Sequence, residues 1–292
     1  MAIILLLAFN WYVLFAVLYV GDSFYHPIMT PALTYPLVAI AFVGICALAF
    51  LFNSPAGQWF LRLLSGARKS IGREQAKLDP IIAQVQEHIK AQLGLSPIAV
   101  TLMVIDDPIP NAMAVGKNTL IVSRALYETA NDDELSGVIA HEFGHLHNGD
   151  SHRLGIALGV SVVSLVISLV SGIVLNFSGN LAKNASKSKE EVGMGLMVIS
   201  AFFMIISGIF WVFVKMGNGV LRVVMLFVGR KQEYAADQFA VKAGYGAGVL
   251  SFLDKIKNMQ FGKPKTIFAR LYEAHPPIML RIGKLENRIR KL

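Results

Sequence analysis

Val138-Ile139-Ala140-His141-Glu142-Phe143-Gly144-His145-Leu146 is an apolar run broken by only two histidines and one glutamate. Four residues advance a helix by roughly 400°, so His141 and His145 share nearly one face. Both imidazoles then reach a single zinc ion at about 2.0–2.1 Å. Glu142 sits next to the first histidine, where it polarises a water rather than taking a ligand position. Polar groups inside an apolar segment need partners to offset their desolvation, and a shared cation is such a partner. Upstream, Asn131-Asp132-Asp133-Glu134 has the form of a capping box, with Asn131 as N-cap and Glu134 at the third helical position. The expectation is a zinc hydrolase, of the kind that cleaves peptide bonds.

Around this stretch the chain is unusually apolar. It has 292 residues, 54% of them hydrophobic, and a mean hydropathy of +0.55. That exceeds the range of ordinary soluble domains. The apolar residues fall in four runs, about Ala2–Val20, Leu33–Phe52, Leu154–Leu175 and Val192–Val214. Each is close to the ~20 residues a helix needs to cross a bilayer. The first lacks a basic front and a small-residue cleavage site, so it reads as a retained span. Four domains follow from this division: spans at 1–52, a polar part at 53–153, spans at 154–214 and a second polar part at 215–292.

Charge sets the orientation. Arg62, Arg68, Lys69 and Arg73 follow the second run, and Lys215, Arg222, Arg230 and Lys231 follow the fourth. Gly21–Ala32 has no lysine or arginine, whereas Asn176–Glu191 holds Lys183, Lys187 and Lys189, which weakly opposes the assignment. The positive-inside rule puts both polar parts in the cytoplasm. The net charge of +8 belongs to these juxtamembrane residues beside an anionic leaflet. No basic run interleaved with aromatics is present, so nucleic acid is not an expected partner. The single cysteine, Cys46, lies in the second apolar run. It forms no intrachain disulfide, and a thiol there lacks water and a base.

In the first polar part, Asp79-Pro80 reads as a helix start and Gly94 as its stop. Ile98–Ile105, Asn111–Val115 and Thr119–Ser123 read as strands, the last two joined by the turn Gly116-Lys117-Asn118. Helices are expected at Arg124–Ala130 and Asp132–Asn148. The second part gives a helix bearing Glu233-Tyr234-Ala235-Ala236-Asp237, another at Ala247–Met259, a polar loop at Gly262–Thr266 and a closing helix at Ile278–Leu292. The fold class is α+β and mainly helical.

A catalytic zinc keeps three protein ligands and one open position. Candidates for the third are His147, His152, His275, Glu233 and Asp237. His147 is two residues past His145 and points elsewhere, and His152 lies about two turns away. Glu233 and Asp237 share one helix face; one carboxylate can bind metal while the other orients a ligating imidazole.

His141–Asp150 (HEFGHLHNGD) with Glu233–Asp237 (EYAAD) resembles the membrane-bound HtpX protease family, grouped with the CAAX prenyl proteases as gluzincins. Asn111-Ala112-Met113-Ala114-Val115-Gly116 and His275-Pro276-Pro277 with Arg281-Ile282 are similar to two further motifs of that family. The resemblance implies one zinc per chain, with His141, His145 and Glu233 as ligands and Glu142 as general base. It implies Asp237 as the partner of a ligating histidine, and Asn111, Ala112, Met113 and Ala114 as an edge that pairs with an extended substrate. His275 either donates to the oxyanion of the tetrahedral intermediate or ends a loop. The resemblance further implies a multi-pass protein of the inner (plasma) membrane. Its zincin-like catalytic domain faces the cytoplasm and cleaves misfolded membrane proteins. The rival readings are a prenyl-protein protease, a site-two-type intramembrane protease, or a non-catalytic membrane holdase.

Overall fold

The computed structural model describes residues 43, 47, 50, 51, 54–150, 168–169, 172–187, 190–259 and 277–290. The chain divides into two compact units, Met1–Leu51 with Ile156–Met225, and Phe52–Gly155 with Leu226–Leu292. The described part is mainly helical and carries one small sheet.

The second unit begins with α1, Pro55–Ser65. The two-residue strand β1 (Arg68–Lys69) follows, then α2 (Gly72–Leu93). The strands β2 (Thr101–Ile105), β3 (Ala112–Val115) and β4 (Thr119–Ser123) come next. After them lie α3 (Arg124–Thr129) and α4 (Asp132–Asn148). The sheet order is β1-β2-β4-β3, with β2 parallel to β4 and β3 antiparallel to it. All five residues of β4 are buried, as expected for a central strand. Gly116, at φ 63°, supplies the left-handed residue of the β3–β4 turn. The hairpin leaves β3 at the sheet edge beside α4.

The start of α2 corrects the sequence expectation. The helix begins at Gly72 and runs through Pro80, which lies inside it. An interior proline forfeits one backbone hydrogen bond and costs about 3 kcal/mol. Two features offset this. Leu78 is fully buried just before it. At the true start the Glu74 carboxylate accepts from Ile71 N–H at 2.8 Å and from Arg68 at 2.7 and 2.9 Å. The Gly94 stop stands where expected, at φ 67°.

The capping box of α4 is present, with Asn131 Oδ1 accepting from Glu134 N–H at 2.8 Å and Glu134 accepting from Asn131 N–H at 3.0 Å. Residues of α4 from Leu135 to Phe143 form the middle of the core with Leu78, Val85 and Leu126. The later helix α5, Glu190–Lys242, is continuous over 53 residues. The EYAAD segment therefore lies near the end of a long helix rather than opening a new one. The helices α6 (Gly246–Ile256) and α7 (Ile278–Ile289) complete this unit.

In the first unit, residues 172–185 are helical. The helix thus continues well past Leu175, and the expected loop from Asn176 shortens. Ser178 causes no break because its hydroxyl donates back to Val174 O at 2.8 Å. Ser200 donates to Ser178 O at 2.9 Å, joining this helix to α5. Val192–Ile209 is long and apolar enough to cross a membrane. The first two expected spans lie outside the described residues, except for positions 43, 47, 50 and 51, as does most of the third.

Candidate metal centre and active site

Two helices bring the site together. His141, Glu142 and His145 project from α4, and Glu233 and Asp237 from α5. The helices meet closely because Gly144 has no side chain; a Cβ there would stand 3.0 Å from Ala236 Cα. Small residues at this crossing let the carboxylates of one helix reach the imidazoles of the other.

His141 Nε2 and His145 Nε2 lie 3.2 Å apart. Glu233 Oε2 is 3.5 Å from the former, and its Oε1 is 3.4 Å from the latter. Ligand atoms held about 2.0–2.1 Å from one tetrahedral ion stand roughly 3.3 Å apart. The three side chains therefore already have the spacing of a zinc ligand set.

The backs of both rings are tied down. Asp237 Oδ1 is 3.0 Å from His141 Nδ1, and Asp150 Oδ2 is 3.0 Å from His145 Nδ1. A proton placed on each Nδ1 leaves each Nε2 with a lone pair aimed at the common point. Two lone pairs facing each other at 3.2 Å repel unless a proton or cation lies between them. Gln232 donates to the other oxygen of Asp150 at 2.9 Å.

Arg281, from α7, closes the cluster. It donates to both oxygens of Asp237, at 2.6 and 3.0 Å, and its Nη1 lies 3.2 Å from Glu233 Oε2. Its Nη2 is also 3.4 Å from His141 Nδ1, where two donors converge on one carboxylate oxygen. His141, Glu142, Glu233, Asp237 and Arg281 are all buried.

The charges fit a cation. Without metal, burial disfavours the His145 imidazolium, yet Asp150 and Glu233 outweigh it and raise the pKa to about 10. His141 is raised as well, with burial opposed by Asp237 and Glu233. Burial also works against the Asp237 carboxylate, but His141 and Arg281 hold it at about 2. The surroundings demand positive charge at the imidazoles, and a divalent ion supplies it in place of protons.

Beside Glu142 a cleft is lined by Asn111 and Ala112 of the β3 side, Val138 of α4, and Val249, Phe252 and Leu253 of α6. Asn111 is fixed by its N–H donating to Ser123 Oγ at 2.8 Å and its carbonyl accepting from Ser123 N–H at 2.8 Å. Met113 and Ala114 continue along the edge strand. His147 faces away from the cluster and stacks on Phe239 at 5.5 Å between ring centroids. His152 and His275 lie outside the described residues. The sequence reading gave no role to Asp150 or Arg281. Asp150 comes within reach because Gly149, at φ 70°, ends the helix and turns the chain back.

A family model described as Peptidase family M48 matches residues 73–289. The chain belongs to peptidase family M48. This M48 peptidase is 28% identical over 282 residues to the Protease HtpX homolog of Tropheryma whipplei (strain Twist), covering 86% of this chain and 89% of that one. It is 26% identical over 257 residues to Protease HtpX of Pseudomonas fluorescens (strain Pf0-1), covering 82% and 81% respectively. The crystal structure of S. mikatae Ste24p aligns with a TM-score of 0.48 and 17% identity, over 94% of this chain and 61% of that chain. Membership makes the protein a metallopeptidase, a hydrolase whose substrates are polypeptides.

Proposed function

We propose that this M48 peptidase is a zinc-dependent endopeptidase anchored in a membrane, acting on misfolded membrane proteins at the cytoplasmic face. The observation that carries the reading is the 3.2–3.5 Å triangle of His141, His145 and Glu233 with Glu142 alongside. Anchoring is supported by Val192–Ile209, which is apolar and mostly unburied. The cytoplasmic side is supported by the basic residues that follow the apolar runs. One zinc per chain, bound by that triangle, would lower the pKa of a water and polarise the scissile carbonyl.

The protein's own groups do the rest. Glu142 accepts a proton from the attacking water and returns it to the departing amine. Asp150 and Asp237 fix the imidazole tautomers. The edge strand β3, Ala112–Val115, lies where backbone groups can pair with an extended peptide, which favours breadth over sequence selectivity. The apolar wall of Val138, Val249 and Phe252 takes a neighbouring side chain of the substrate. His275 keeps its two sequence-derived roles as alternatives.

Glu142→Gln tests the assignment. The zinc-loaded variant is expected to cleave a denatured polypeptide in detergent about 10²–10⁴-fold more slowly than the parent, with zinc content unchanged. Equal rates at equal zinc content would refute the role of Glu142.

A further inference from the structure

Helix α1, ahead of the family-matched segment, carries a stripe of large apolar side chains on its exposed face. Ser54 caps it by accepting from Gly57 N–H at 3.2 Å, Pro55 is its first residue, and Gly66 ends it at φ 71°. Among its described side chains, Gly57, Gln58 and Ser65 are buried. Trp59, Phe60 and Leu63 are instead 62%, 42% and 61% exposed. With Pro55 and Ala56, also exposed, they occupy positions i, i+1, i+4, i+5 and i+8, which form one continuous stripe. A helix surrounded by water places such a stripe inward.

The inward face is specific. The Gln58 side chain fills the space beside Gly116, where a Cβ would meet Gln58 Cδ at 2.7 Å. Gly116 is the turn of the β3–β4 hairpin, so α1 is seated on the strand that borders the cleft. The surrounding sequence is basic. Residues 54–73 contain Arg62, Arg68, Lys69 and Arg73 and no acid. Lys69 and Arg73 are exposed, and Ile71 between them is 56% exposed.

We propose that α1 is an interfacial helix that lies in the headgroup region of an anionic bilayer and holds the β3 edge at the membrane surface. Trp59, Phe60 and Leu63 enter the acyl boundary, and the exposed cations Lys69 and Arg73 meet lipid phosphates. Tryptophan is well suited to that depth, and cations add attraction to anionic lipid. A water-soluble partner protein would match the apolar stripe but gives no reason for the exposed cations Lys69 and Arg73 beside it. The inference rests on the membrane reading above and adds the element that orients the edge strand toward substrates emerging from lipid.

The test uses the full-length protein in vesicles of phosphatidylcholine with a minority of phosphatidylglycerol. Trp11→Phe/Trp211→Phe leaves Trp59 as sole reporter, and Trp11→Phe/Trp59→Phe leaves Trp211. Retained cleavage of a soluble denatured polypeptide confirms that each variant is folded. Trp59 emission is expected to be quenched more strongly by lipid brominated near the carbonyl end of the acyl chain than by lipid brominated near its tip. Failure of every brominated lipid to quench Trp59, with Trp211 quenched, would overturn the proposal while leaving the membrane reading intact. It would assign the stripe to another part of the chain or to a second copy. Failure to float with vesicles would overturn both. As a second measurement, Leu63→Cys in a Cys46→Ser background carries a spin label. Its collisions are expected to favour lipid-soluble oxygen over an aqueous nickel complex; the reverse preference would contradict the proposal.

Discussion

Asp150 and Asp237 illustrate how much of the proposed metal centre lies behind its ligands. Each accepts from one imidazole at 3.0 Å, and each thereby decides which nitrogen keeps a lone pair for the ion. Asp150→Asn is expected to weaken zinc binding about 10–100-fold, measured by competition with a chromogenic chelator. Glu142→Gln should leave that affinity almost unchanged, and an equal loss in both variants would argue against separate roles. The spacing of His141 and His145 and the adjacency of Glu142 were legible because helical periodicity alone places them. Glu233 and Asp237 came as a pair from one helix face, and only the family resemblance divided their roles. Asp150 was not legible, since its approach depends on the turn at Gly149 rather than on any period. Arg281 escaped for a related reason: its carboxylate partners lie on another helix, and no local pattern announces such a pairing.

Helix contacts set by missing side chains decide whether those residues meet. A Cβ on Gly144 would press on Ala236 Cα at 3.0 Å, whereas one on Gly248 would strike Asp133 O at 2.2 Å. Gly144→Ala should therefore fold, with a stability loss of about 1–3 kcal/mol, and bind zinc more weakly as α5 is displaced. Gly248→Ala should fail to accumulate as folded protein. Metal titration and thermal unfolding in detergent separate the two outcomes. The start of α4 carries a pH dependence. Burial raises the Glu134 pKa, but Lys255, Asn131 N–H and Ser251 together bring it below the ordinary value of 4.5. A carboxyl depressed on folding stabilises above its unfolded pKa and loses that contribution as pH falls through the lower folded value. Glu134→Gln is expected to flatten the decline of unfolding temperature below about pH 4.5; parallel curves for variant and parent would contradict this. The capping box was visible in sequence because its partners are three residues apart. The true start of α2 was hidden, because Asp79-Pro80 satisfies the local rule for a helix start. The lock that extends the helix past it comes from Arg68, outside the helix.

At the scale of the molecule, the chain order separates the proposed ligands. The unit holding the site is assembled from Phe52–Gly155 and Leu226–Leu292, with two of the proposed ligands from the first segment and one from the second. The sequence announced both halves through their motifs. It did not announce that α5 would run unbroken from Glu190 to Lys242, since glycines and charges at its middle look like punctuation when burial is unknown. A metal bound across α4 and α5 links these two segments, so its binding free energy adds to the stability of the unit that both segments build. At free zinc near 1,000 times Kd the added stability is about 4 kcal/mol, or roughly 8–16 °C in unfolding temperature for a unit of this size. Chelation of the zinc-loaded protein in detergent should lower its unfolding temperature by that amount. Glu233→Gln retains both histidines but lacks the ligand from α5, so it should respond far less to the same chelator. Asp237→Asn should fall between the two, because it loosens one imidazole and leaves the three ligands in place. An equal response in the parent and in Glu233→Gln would mean that the ion does not bridge the two segments.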